Sequence, residues 1–349
     1  MSLTVIYPVC APCPRLDGVL AHALEGIDHR VLSRPEQLEG LAGQLLLFAL
    51  PVGLYGPEEG CGQLLRHLRS HPRLLEGCTA GILVDGAGEL YTKSTATELV
   101  LAANLCGCAF VGRSLVEATG SLDNFRVRAG VLGCSPEEAY MTEARELVQR
   151  LLAYAPTRKE KPELLVLHAS TPHVSNSMDL WEQTRTRLGD RVTVTELGLR
   201  NGTLSDCSGC PYTMCLHYGE QGGCFYGGVM QQEVYPAVRR ADAILMVCPN
   251  YNDALSANLT AFINRLTALF RQMRFYDKPL FAVVVSGYSG GDIVARQLIG
   301  AMSMNKSFHL PGRFALMATA NDPGSALALE GIGGQVDAFA QTIIQNICL

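Results

Sequence analysis

The sequence predicts an α/β protein of two tandem units, each a doubly wound, parallel, five-stranded sheet wrapped by helices. Three observations carry this expectation. Short apolar runs alternate with stretches of helical period along the chain, the pattern of βαβ units feeding a parallel sheet. A polar segment with two prolines, Ala155-Pro-Thr-Arg-Lys-Glu-Lys-Pro162, separates two apolar regions and reads as a linker. Both regions also repeat one order of elements, dividing the chain into 1–155 and 163–349.

The second region is the clearer of the two. Residues 163–168 read as a buried strand, followed by a helix over 176–188 and a β-branched strand over 191–197. A Cys- and Gly-rich loop fills about 198–228 and helical signals resume over 229–240. The third strand is 243–248. Ser256 is an N-cap candidate for a long helix in which Leu259, Phe262, Ile263, Leu266, Leu269, Phe270 and Met273 recur at helical spacing. Strand 280–285, a Gly-rich loop, a helix near 292–304, strand 313–319 and a closing helix over 335–347 complete the unit.

In the first region the matching strands are 4–7, 29–32, 45–50, 80–84 and 111–116. Some matches are specific. Gly112-Arg-Ser-Leu-Val-Glu-Ala-Thr119 lies over Gly312-Arg-Phe-Ala-Leu-Met-Ala-Thr319, Val84-Asp-Gly86 over Val285-Ser-Gly287, and Leu50-Pro51 over Cys248-Pro249. These favour a tandem duplication over two unrelated α/β units.

Composition excludes several classes of function. With 349 residues, 48% apolar and 17% charged, the chain has enough apolar content for large cores and is not of the disordered class. A net charge of −5 offers no basic field to nucleic acid or an anionic membrane. No run of eighteen apolar residues occurs, and the first residues lack a cationic signal-peptide start, so a cytoplasmic protein is expected. The thirteen cysteines are an odd number and suit reduced thiols better than a disulfide framework.

Ligands of open parallel sheets bind beyond the carboxyl ends of the strands, and three loops of the second unit lie there. His168-Ala-Ser-Thr-Pro-His-Val-Ser-Asn-Ser177 is rich in hydroxyls and opens a helix, so its side chains and free amides suit a phosphate. No Walker lysine or G-x-G-x-x-G accompanies it, which disfavours nucleoside triphosphates and a dinucleotide site. Pro249-Asn-Tyr-Asn-Asp253 places a ring and amides where a flat heterocycle could lie. Ser286-Gly-Tyr-Ser-Gly-Gly291 permits close backbone approach. Taken singly, the three read equally as a helix cap and two turns; together at one sheet edge they suit a flat, phosphorylated cofactor.

On these motifs the second half resembles the NAD(P)H-dependent FMN reductases, specifically their iron–sulfur flavoprotein branch. The resemblance also rests on Cys207-Ser-Gly-Cys210, Ala241-Asp-Ala-Ile244, Ser256 and Phe262-Ile-Asn-Arg265, and it covers about 165–320. It implies a flavodoxin-like fold and FMN as cofactor. Carried over by position, Ser170, Thr171, Ser175, Asn176 and Ser177 face the phosphate. The isoalloxazine is lined by Pro249, Asn250, Tyr251, Asn252, Ser286, Gly287, Tyr288 and Gly290. Where the family often has an arginine this chain has Thr171-Pro172-His173, which makes His173 the candidate substitute. The first unit lacks these signals: its first loop, Pro8-Val-Cys-Ala-Pro-Cys-Pro-Arg15, has three prolines and no serine. A degenerate copy without FMN is expected, its Cys10-x-x-Cys13 read as two thiols in a turn before a redox pair.

Cys207-x2-Cys210-x4-Cys215-x8-Cys224 sits in one loop. Four thiolates can ligate a [4Fe–4S] cluster or a zinc ion, or remain free thiols. Placement matches the iron–sulfur flavoproteins, whereas the family shows two residues, not four, before the third cysteine. The expected activity is transfer of electrons from NAD(P)H through FMN to a quinone, a flavin or an Fe–S acceptor. The alternatives are a flavin/Fe–S electron-transfer module fed by a protein partner and a non-catalytic metal-binding scaffold. No protein nucleophile or general base is required, because the cofactor carries the chemistry. A homodimer, or a chain that mimics one internally, is expected from the apolar-striped helix and the spare unit.

Overall fold

In the computed structural model, which describes residues 3–8, 12–170, 175–200 and 202–349, the strands of the first unit are β1 (Leu3–Ile6), β2 (His29–Leu32), β3 (Leu45–Gly53), β4 (Gly56–Pro57), β5 (Thr79–Gly86) and β6 (Ala109–Ala118). All pair in parallel, in the order β2-β1-β3-β5-β6, except that β4 folds back antiparallel on the end of β3. The sheet thus has six strands where five were expected. The extra pair follows from a tight return, with Gly56 at φ 127°, a conformation that favours glycine. Residues of β3, read as Leu-Leu-Leu-Phe-Ala-Leu-Pro-Val-Gly, are almost continuously buried, as a central parallel strand covered on both faces requires. The covering helices are α1 (Pro14–Ala23), α2 (Glu59–Ser70), α3 (Thr92–Leu105), α4 (Arg126–Leu132) and α5 (Pro136–Leu152). Helix α5 opens with a capping box, in which Ser135 Oγ accepts from the Glu138 amide at 3.2 Å and Glu138 accepts from the Ser135 amide at 2.8 Å.

The second unit contains β7 (Glu163–His168), β8 (Thr193–Gly198), β9 (Ala243–Pro249), β10 (Leu280–Ser286) and β11 (Ala315–Thr319), all parallel, in the order β11-β10-β9-β7-β8. Its helices are α6 (Asn176–Leu188), α7 (Tyr212–Glu220), α8 (Tyr235–Arg240), α9 (Ala257–Arg265), α10 (Thr267–Phe270), α11 (Gly291–Leu298) and α12 (Ile332–Ile347). Counting parallel strands in chain order, both sheets run 2-1-3-4-5, the flavodoxin-like arrangement. The chain divides into compact units Met1–Ala155 and Pro156–Leu349. Part of the segment read as a linker belongs to the second unit: the Lys159 amide donates to the Ile347 carbonyl at 2.9 Å and its Nζ meets Asp242 at 2.7 Å.

Several helices differ from the expected spans for local reasons. Residues 230–234 form a π-helical turn before α8. Pro236 lacks the N–H that an α-helical turn there would use. The long helix starting after Ser256 is real at its start, where Ser256 Oγ accepts from the Leu259 amide at 3.4 Å, but it breaks into α9 and α10 at Leu266. Helix α11 likewise runs on into a π-helical stretch, Ile299–Asn305. Strand β11 starts at Ala315, because Arg313 takes a left-handed φ of 53°. The matching residue of the first unit, Arg113, has a φ of 54°, so the shared Gly-Arg string makes the same backbone kink twice.

Trp181, fully buried on α6, packs in the core with Leu164, Val166 and Leu245. Its Nε1 donates to Glu196 on β8 at 2.8 Å. Substitution Trp181→Ala is expected to destabilise the protein by about 3–5 kcal/mol, read as a lowered midpoint in equilibrium chemical denaturation.

Candidate functional site

The chain leaves β7 for β8 on one side of the sheet and β9 lies on the other, so the carboxyl end of β7 is the topological switch point where a crevice opens. His168 ends β7. Its Nδ1 lies 3.2 Å from the Ser170 carbonyl and its Nε2 3.5 Å from Glu196. The buried imidazole therefore pins the start of the first loop, and Glu196 joins it to Trp181. Glu196 was not singled out from sequence; an acidic residue inside a β-branched strand was the available signal.

Helix α6 starts at this loop. Its first internal bond runs from the Asp179 amide to the Ser175 carbonyl at 3.0 Å, leaving the amides of residues 176–178 without an intrahelical acceptor. Ser175 Oγ lies 2.9 Å from Ser177 Oγ. Ser170 Oγ is buried and has no hydrogen-bond partner among the described residues. Thr171 and His173 fall outside the described residues. Asn176 corrects the sequence reading: its amide nitrogen donates to the carbonyls of Ala320 (3.2 Å) and Asp322 (2.9 Å), and its oxygen accepts from the Ala326 amide at 3.2 Å. The side chain staples α6 to the loop after β11 instead of facing a phosphate, because a buried amide takes the nearest full set of partners.

The second and third loops are locked together by Asn250. Its Nδ2 donates to Asp253 Oδ1 at 3.2 Å, Ser286 Oγ at 3.2 Å and the Ser289 carbonyl at 3.0 Å. Its Oδ1 is buried and unpartnered. Asn252 and Asp253 both take left-handed backbone, with φ of 54° and 57°, in a turn closed by paired Tyr251 and Ala254 amide–carbonyl bonds of 3.2 and 3.1 Å. Gln297 of α11 supports this turn, accepting from the Leu255 amide and donating to the Asp253 carbonyl, each at 3.0 Å. Asp253 and Gln297 were missed from sequence, since turn residues and a helical glutamine carry no motif. Tyr251 and Tyr288 are exposed, at 54% and 82%, which leaves both rings available to stack. Pro249 ends β9 half-buried, Ser286 is buried at the end of β10, and Gly287 lies against Asn321.

The cysteine loop follows β8. Gly209 and Gly222 take left-handed φ of 66° and 77°, and the chain between them includes α7, which the sequence reading left as loop. Cys207, Cys210, Cys215 and Cys224 all line one cavity of about 110 Å³, with Met214, Tyr218, Phe225, Asn264 and Arg265 among its other walls. Burial pushes the Cys215 thiol up, and the other three thiols add to the shift. Among the described residues no three His, Cys, Asp or Glu side chains converge closely enough to hold a metal ion. The four cysteines of the expected ligand set line one space, but among the described residues they are not drawn together as a metal site.

The first unit's corresponding edge is built differently. Asp85, which the sequence match sets over Ser286 and the strand register over Val285, is 4% exposed. Arg15 closes on it with bonds of 2.8, 3.0 and 3.1 Å and donates to the Gly86 and Gly120 carbonyls at 2.7 and 3.2 Å. Cys13, Pro51, Glu58 and Gly120 line the same cavity.

The family model described as NADPH-dependent FMN reductase matches residues 162–322, the span on which the sequence resemblance rests and just under half of the chain. Among solved structures, the chain is similar to an NAD(P)H:quinone oxidoreductase from Methanothermobacter marburgensis, at 15% identity over 52% of this chain and 97% of that one, with a TM-score of 0.42. It is similar also to Smu.1420 from Streptococcus mutans, at 13% identity over 50% and 99% with a TM-score of 0.39. A third is an FMN-dependent NADH-azoreductase from Bacillus anthracis in complex with FMN, at 11% identity over 52% and 99% with a TM-score of 0.34. No curated protein matches the chain.

Gly290, at φ 85°, has no room for a side chain: a Cβ there would lie 2.1 Å from Asp253 Oδ1 and 2.8 Å from Asn250 Nδ2. Gly290→Ala is expected to cost about 1–3 kcal/mol and to part the two loops. Hydrogen exchange should then accelerate at the amides of Asn250 and Ala254.

Proposed function

We propose that this protein is a flavin-dependent NAD(P)H oxidoreductase that holds FMN at the carboxyl edge of its second sheet. The family match over 162–322 supports the activity. Two observations carry the site: the buried Ser170 hydroxyl, which has no partner among the described residues, and the amides that open α6 without an intrahelical acceptor. A buried hydroxyl without a partner is costly unless a ligand satisfies it. Ser170, Ser175 and Ser177, with the amides of 176–178, would hold the phosphate. Pro249, Asn250, Tyr251, Asn252, Ser286, Gly287, Tyr288 and Gly290 would bound the ring. When bound, FMN supplies hydride acceptance from a nicotinamide and electron release in one or two steps. The chain's own part is to hold the ring between loops fixed by Asn250 and to leave one face open to NAD(P)H. A quinone-type or free-flavin acceptor would use the same open face in turn.

The cysteine cavity favours a second component. The four thiols that line one space suit a [4Fe–4S] cluster, which when bound supplies one-electron transfer. That group would make the chain a relay from a nicotinamide, or from a protein partner, to a one-electron acceptor. No helix of the described residues is long and apolar enough to cross a membrane.

Anaerobic purification followed by absorption spectra, iron analysis and FMN titration tests these readings. The protein is expected to bind FMN and to oxidise NAD(P)H. Ser175→Ala and Ser177→Ala should each weaken FMN binding by about tenfold, the scale of a hydrogen bond to a charged group. Wild-type protein that takes up no added FMN would refute the flavin site.

A further inference from the structure

We infer that Arg265 is the fixed counter-charge of the cysteine cavity and the clasp that closes its loop, an inference that rests on the cavity holding a metal–thiolate group. Arg265 ends α9 and is 3% exposed. Among the described residues no carboxylate lies within ion-pairing distance of it. A buried cation without an opposite charge is strongly unfavourable, so the site is incomplete without an anion. Two of its nitrogens bond to carbonyls at the two ends of the cysteine loop: Nη1 donates to Ser205 at 3.3 Å and Nη2 to Gly227 at 2.6 Å. Its Nε is buried and has no hydrogen-bond partner among the described residues. The Tyr235 hydroxyl donates to the Arg265 carbonyl at 2.7 Å and steadies this end of the helix.

Just outside the cavity walls, Asp206 next to Cys207 accepts from the Asn264 side chain at 2.9 Å. The cavity walls contain no Asp or Glu. Thr267, another wall residue, accepts from Nζ of Lys306, itself buried at 7% exposure, at 2.9 Å. The four thiols are thus the groups of the wall that can supply negative charge. Four thiolates around a divalent ion carry a net negative charge, as does a cluster held by four cysteines. Arg265 answers that charge from the cavity wall while its bonds to the Ser205 and Gly227 carbonyls tie down the chain just before Cys207 and just after Cys224.

The test is anaerobic titration of the reduced, full-length protein with Zn2+ against a chromophoric chelator, for the wild type, Arg265→Lys and Arg265→Gln. Loss of the charge in Arg265→Gln should weaken Zn2+ binding by about 10- to 100-fold, the range for groups supporting a metal's ligands. Arg265→Lys keeps the charge without the two-armed clasp and should stay within about threefold of the wild type, far closer than a lost support would leave it. Wild-type affinity in Arg265→Gln overturns the inference. So does equal weakening in both variants, which would make Arg265 a clasp alone. Should Arg265→Gln fail to fold, Arg265→Lys decides by the same criterion. Wild-type protein that binds no Zn2+ removes the metal–thiolate premise and the inference with it. Reconstitution of the wild type with iron and sulfide is read separately: Zn2+ affinities that follow charge without any cluster absorbance refute the iron–sulfur reading and leave Arg265 in its role.

Discussion

One amide group organises the edge of the second sheet. The Asn250 NH2 has two hydrogens and three acceptors within reach, on its own loop and on the loop after the neighbouring strand. Strands β9 and β10 are already fixed side by side by their ladder, so this side chain turns two adjacent strand ends into one surface. The left-handed Asn252 and Asp253, the Gln297 brace and the bare Gly290 all serve the same geometry. A floor built this way is rigid before any ligand arrives, which lowers the ordering cost of binding.

The two units show how one topology yields unequal edges. Both have strand order 2-1-3-4-5, and both carry a Gly-Arg kink with nearly equal φ. Near the end of the fourth parallel strand, however, one has Val285 and Ser286 and the other Asp85, which pairs with Ala118 as Val285 pairs with Ala318. A buried carboxylate repels phosphate, and the first unit neutralises it internally with Arg15. The guanidinium that would otherwise be free to meet an anion is already committed to Asp85 and two carbonyls.

Much of this was legible in the sequence because it depends on local pattern. The strands follow from apolar runs, and Ser256 caps its helix as its chemistry dictates. The cysteines proved to share one cavity. What escaped detection depends on tertiary partners. Asn176 has the composition of a phosphate loop, but carbonyls brought in from residues 320 and 322 capture its side chain. Helix α7 hides in a segment of cysteines, glycines and aromatics with no clean apolar stripe. Arg265 reads as an ordinary charged end to an amphipathic helix, and only its burial without a carboxylate sets it apart. Thr171 and His173 lie outside the described residues, and their part in the loop rests on sequence alone.

Burial also sorts the sulfur chemistry of the chain. Cys61, Cys78, Cys106, Cys108 and Cys248 are buried; burial pushes the Cys61 thiol up to about 12 and that of Cys248 further. Such thiols present almost no thiolate and react slowly with oxidants or alkylating agents. Cys207 is exposed, and Cys210, Cys215 and Cys224 are partly so. In air, damage to this protein would therefore begin at Cys207 and reach the partly exposed Cys13, Cys134, Cys210, Cys215 and Cys224 before the buried sulfurs of either sheet, so a preparation can look well folded while its cysteine cavity is already oxidised.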